Sequence, residues 1–127
     1  MGVYYEWANE EQTIAHIYIN HPWTWDEYID VTTDLMMTIR SLNHLCATIT
    51  DVSQYGELPT HGNPLYALLN MEKLIPENLY AIVLVGATYT ATVFTNILLS
   101  LRPRMKKTIL LAATMQDAHE KILVHKR

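Results

Sequence analysis

Asp51, Ser53, Thr60 and His61 stand close together in the polar stretch DVSQYGELPTHGN, residues 51–63. Two hydroxyls, an imidazole and a carboxylate are the raw materials of nucleophilic or general-base chemistry, since an unperturbed histidine titrates at about 6.5 and a nearby aspartate can orient it. Such chemistry requires a nucleophile, a base and an orienting group in mutual reach. The stretch supplies no spacing that imposes that geometry, and threonine is a rare nucleophile. Ser53 just after a strand commonly bonds neighbouring backbone groups, and His61 reads as an exposed loop histidine. No catalytic residue is assigned. The stretch is instead a loop of turn formers carried on a scaffold, the usual place for a recognition surface.

The scaffold is legible from periodicity. Residues 3–7 and 13–19 are rich in β-branched and aromatic side chains and are separated by the polar Asn9-Glu10-Glu11, which predicts an opening hairpin. Trp25, Tyr28, Ile29, Thr32, Leu35, Met36, Ile39 and Leu42 recur at the three-and-four spacing of one helix face. Thr24 and Glu27 have the spacing of a capping box, with Trp23 and Tyr28 placed as a hydrophobic staple around it. Residues 45–52 return to strand composition. Asn63 and Pro64 then supply a cap and a first-position proline for a second helix, which runs to about residue 74 and stops before Pro76. Residues 79–85 (LYAIVLV) form an unbroken apolar run of strand length, the mark of a strand covered on both faces. A third helix runs from Thr90 to the segment before Pro103, residues 108–113 make a last strand, and Thr114 with Asp117 opens a fourth helix. The order ββαβαβαβα predicts an α/β fold with a mixed, mainly parallel sheet in one domain, residues 1–127.

Composition narrows the partners. The formal net charge of -4 gives no general attraction to nucleic acid. With 50% hydrophobic and 17% charged residues, the surface carries fewer charges than usual, which suits cover by a partner. The single cysteine, Cys46, lies in an apolar run and reads as a buried thiol. The histidines at 16, 21, 44, 61, 119 and 125 do not pair on one helix turn, so neither a metal nor another cofactor is expected. The start of the chain has no secretory pattern and no segment offers about 18 unbroken apolar residues, so the expectation is a cytoplasmic protein without membrane insertion. Arg102, Arg104, Lys106 and Lys107 form the one concentrated basic patch, with anionic lipid, nucleic acid and an acidic protein face as its conceivable counterparts. Gly86-Ala87-Thr88 lacks the repeated glycines of a nucleotide fingerprint and reads as a plain turn.

Over nearly its whole length this order resembles the STAS domain, the family of sulfate transporter cytoplasmic domains and bacterial anti-sigma factor antagonists, with its SpoIIAA-like fold. Asp51-Val52-Ser53 is similar to the Asp-Leu-Ser that ends the family's third strand, and Gly62 with the helix after it resembles the family's loop into its second helix. The family loop carries an Asp-Ser-Ser-Gly type motif whose Ser or Thr a kinase phosphorylates. Here the stretch reads Pro59-Thr60-His61-Gly62, with proline in place of the aspartate. The resemblance implies a non-enzymatic regulatory domain that binds a protein partner through Asp51, Ser53, Thr60, His61, Gly62, Asn63 and the second helix, with Thr60 at the phosphoacceptor position. The alternative is a carrier or sensor that holds a small apolar ligand between helices and sheet, lined by Trp25, Met36, Met37 and Phe94. The opening hairpin leaves an edge strand, so a homodimer is a further expectation.

Overall fold

The computed structural model describes residues 2–53, 62, 64–86 and 89–126, with only the backbone described at 64, 65, 68, 89–91, 94 and 126. Strands β1 (Val3–Trp7) and β2 (Ile14–Ile19) form the opening hairpin, followed by α1 (Trp25–Ser41), β3 (Cys46–Asp51), α2 (Pro64–Leu74), β4 (Leu79–Val85), α3 (Tyr89–Leu101), β5 (Ile109–Ala112) and α4 (Met115–Lys126). The fold is α/β, with a five-stranded mixed sheet and four helices. Its strands lie in sequence order, β1 antiparallel to β2 and each later neighbour parallel.

That order fixes where the helices go. Parallel crossovers that all step the same way along a sheet, with the usual right hand, stack their helices on one face. Side chains of α1, α2 and α3, among them Leu35, Met36, Ile39, Ala67, Met71 and Leu98, share one core with Ile17, Ile82 and Ile109 of the sheet. Helix α4 follows the last strand and takes the opposite face, where Ala118 and Ile122 pack on Ile49, Val83 and Val85. Strand β4 is thus covered on both sides, as its unbroken apolar run predicts.

Local signals in the sequence account for most boundaries. Thr24 caps α1 by accepting from the Glu27 amide at 3.0 Å, but the Glu27 carboxylate accepts from the Gly2 amide instead of closing the box, which ties the chain's start to the helix. Thr114 caps α4 by accepting from the Asp117 amide, and Asp117 accepts from the Ala113 amide. One element escapes periodicity: Pro103–Lys107 forms a short 3₁₀ helix, anchored by buried Met105. Five residues are too few for an apolar repeat to stand out.

The two sheet edges differ. At β5 the Lys121 ammonium donates to the Leu111 carbonyl at 2.7 Å, a charged side chain laid over an edge. At the other side β1 is the edge strand, as the opening hairpin suggests.

Candidate functional site

Because every helix follows a strand through a connector, the helix N-termini gather at the carboxyl end of the parallel strands, where open α/β sheets carry their ligands. Asp51 closes β3 at this end. Its Oδ1 accepts from the Ser53 amide at 2.9 Å and from the Ser53 hydroxyl at 2.6 Å. One carboxylate oxygen is therefore engaged in a local turn, and the hydroxyl points back into it. The Val52 amide donates to the Val85 carbonyl and the Gly86 amide to the Ala112 carbonyl, so the ends of β3, β4 and β5 are knitted together. Gly86 has φ +73°, and a Cβ there would lie 2.9 Å from the Ser53 Cβ. Only glycine suits both the left-handed backbone and the close approach.

The far end of the loop is seated on aromatic rings. Gly62 has φ +96°, and a Cβ on it would stand 3.2 Å from the Trp25 ring. Trp25 itself is buried at the first position of α1, with the Trp23 ring 4.7 Å and the Tyr28 ring 5.8 Å away. Its indole Nε1 is buried without a hydrogen-bond partner. Thus Asp51, Ser53 and Gly62 belong to two fixed ends of one loop. Thr60, His61 and Asn63 lie outside the described residues.

The residues expected to line an apolar site are dispersed. Met36 is buried and borders a cavity of about 50 Å³ between the sheet and the helices, together with Ile17, Thr48, Met71 and Leu98. The Thr48 hydroxyl is buried there without a partner. Such a space suits one or two waters, at about 30 Å³ each. Trp25 belongs to the aromatic cluster, Met37 is 64% exposed on α1, and the Phe94 side chain is outside the described residues. Tyr28 fills the space beside Met71 and donates to its sulfur at 3.3 Å; burial pushes its phenol up to about 12. Cys46 is fully buried and burial pushes its thiol up as well, which makes it inert.

A second polar group lies on the sheet face shared with α4, beyond the strands that helix covers. Tyr4 pairs with Tyr18 and Glu6 with His16 across the hairpin, while Tyr18 neighbours Asp51 on β3. The Tyr4 and Tyr18 rings stack at 4.9 Å, His16 Nδ1 lies 3.2 Å from the Tyr18 hydroxyl, and the His119 ring of α4 sits 5.5 Å from His16. Among the described residues no group of three or more His, Cys, Asp or Glu side chains is placed to hold a metal. Strand alternation already puts Tyr4, Glu6, His16 and Tyr18 on one face; the approach of His119 had no signal, because it depends on which face α4 chooses.

Burial holds the His16 imidazole below its ordinary pKa of 6.5, reinforced by His119 and opposed by Glu6 and Asp51. Between that ordinary value and the lowered one, the unfolded chain binds a proton that the folded chain refuses, so this group's contribution to stability is present at neutral pH and is lost as pH falls below about 6.5. Urea midpoints should drop from about pH 7 to about pH 5, and His16→Gln should flatten that part of the profile. An unchanged slope in the variant would assign the acid sensitivity to other groups.

Comparison of the chain with protein-family models, with curated proteins and with solved structures finds no match in any of the three. The fold and the loop therefore carry the functional reading.

Proposed function

We propose that the chain is a non-enzymatic, STAS-like interaction domain that docks a protein partner with the 51–63 loop and the exposed part of α2. The observation that carries this reading is that both ends of the loop are held in place. Asp51 and Ser53 are locked against Gly86 at one end, and Gly62 rests on the Trp25 ring at the other. A recognition loop gains affinity when its ends are ordered before binding. The Asp51 Oδ1 takes both the Ser53 amide and the Ser53 hydroxyl, which favours a scaffold over a reaction centre. Thr60, at the position that resembles the family phosphoacceptor, would then tune docking, since a phosphate adds roughly -1.5 to -2 charge.

Purification of the tagged protein from its own source should yield a complex of fixed stoichiometry on size exclusion. Thr60→Asp and His61→Ala should each weaken that complex about tenfold or more, the scale of a residue worth more than about 1 kcal/mol at an interface. Far-ultraviolet circular dichroism and melting temperature should stay unchanged. A complex that survives both substitutions would reject the loop as the docking surface.

The carrier reading ranks second, because among the described residues Trp25 and Met37 do not line the cavity that Met36 borders, and that cavity, at about 50 Å³, is far below the roughly 300–1,000 Å³ of small-molecule sites. Native mass spectrometry decides between them: an apolar ligand retained by the purified chain supports the carrier, and a phosphate mapped to Thr60 supports the switch.

A further inference from the structure

Helix α3 has no charged side chain along YTATVFTNILLSL. Its Val93, Ile97 and Leu101 nevertheless stand 37%, 42% and 48% exposed, one stripe at four-residue spacing along the helix. Amphipathic helices of soluble domains normally place charge on the outward face. The stripe runs directly into the 3₁₀ helix, which packs beside the end of α3 and carries Arg104, Lys106 and Lys107 in an otherwise acidic chain.

Those basic groups are not equivalent. Arg102 is tied into the fold, since its guanidinium pairs with Glu72 at 3.0 Å and donates to the Leu101 carbonyl at the helix end. Arg104 touches the same carboxylate at 3.4 Å, but its side chain is 83% exposed. Lys106 and Lys107 are exposed, and among the described residues neither meets a carboxylate. Glu72 offsets one charge, leaving the patch strongly positive.

We propose that α3 and the 3₁₀ helix form a peripheral docking surface for an anionic lipid membrane, with Ile97 and Leu101 reaching the headgroup boundary and Arg104, Lys106 and Lys107 meeting acidic headgroups. The pairing of an uncharged apolar stripe with an adjoining basic cluster favours a bilayer surface over an acidic protein, which would need the charge alone. The surface does not depend on the 51–63 loop, so the two readings stand or fall separately. It requires no membrane span, and no helix among the described residues is long and apolar enough to cross a bilayer.

Co-sedimentation of the full chain with vesicles of phosphatidylcholine, with and without phosphatidylserine, tests the assignment. Partitioning should rise about a hundredfold with phosphatidylserine, as three basic residues near a charged surface imply, and should fall as salt shortens the screening length. The double substitution Lys106→Glu with Lys107→Glu should abolish that gain, and Ile97→Ser should weaken binding at fixed charge. Both sites are solvent-facing, and an unchanged melting temperature verifies the fold. Equal binding to both vesicle types would overturn the proposal. So would binding to soluble polyglutamate that matches vesicle binding and ignores Ile97→Ser, which would instead mark an acidic protein face.

Discussion

Gly86→Val is expected to destabilise the fold by about 3 kcal/mol and to loosen the loop that β3 launches. Two costs add. A side chain in the left-handed region costs about 1–2 kcal/mol, with a β-branched one at the upper end. The new Cβ, 2.9 Å from the Ser53 Cβ and 3.3 Å from its Cα, also forces two strand ends apart, and overpacking of this sort costs about 1–3 kcal/mol. In a domain of this size the melting temperature should fall by about 10 °C. A graded series separates the two terms. Gly86→Asn tolerates the left-handed backbone but keeps the Cβ contact, so it should lie between wild type and Gly86→Ala. Equal melting temperatures for the alanine and asparagine variants would place the whole cost in the contact. Affinity for the proposed partner should fall with stability across the series, because the Asp51–Ser53 turn leans on Gly86. A stable complex retained by Gly86→Val would show that this turn does not position the docking surface.

The fold was legible where burial and chain direction impose a period. Helix α1 announced itself through its apolar face and its Thr24 cap, and β4 through an apolar run that two covered faces demand. Sequential strand order follows from short connectors, though helix placement does not: α4 packs on the face opposite to α1, α2 and α3. The 3₁₀ helix was hidden, since its one apolar anchor, Met105, carries no periodicity. At the candidate site, the ends of the loop were readable from turn chemistry at Asp51, Ser53 and Gly62. Their locking partners were not, because the contacts between Ser53 and Gly86 and between Gly62 and Trp25 join residues far apart in the chain. The same limit applies to His16 and His119, each unremarkable alone.

Asn78 shows what such a distant contact is worth. Its side-chain amide donates to the carbonyls of Ile39 at 2.7 Å, Leu42 at 3.2 Å and His44 at 3.0 Å. These belong to the end of α1 and the turn after it, where a helix leaves carbonyls without intrahelical donors. The main chain of Asn78 meanwhile accepts from the Cys46 amide at 2.8 Å, so one residue secures the passage from α1 into β3. Asn78→Ala should cost about 2 kcal/mol, within the range for half-buried acceptors that lose a donor, here the Leu42 and His44 carbonyls, while the Ile39 carbonyl keeps the Leu42 amide. Asn78→Asp should cost about 3 kcal/mol near neutral pH, because an ionised carboxylate keeps the shape, removes both donors and faces three carbonyl oxygens. The sign of its pH response is opposite to that of His16. Repulsion raises the new carboxyl's pKa in the folded state above its unfolded value of about 3.9, so the folded chain binds the extra proton and the deficit relative to wild type shrinks as pH falls. Urea denaturation of the two proteins side by side from about pH 7 to about pH 4 measures that difference directly. A deficit that stays constant with pH would mean that the turn rearranges around the carboxylate, and that the Leu42 and His44 carbonyls find other donors.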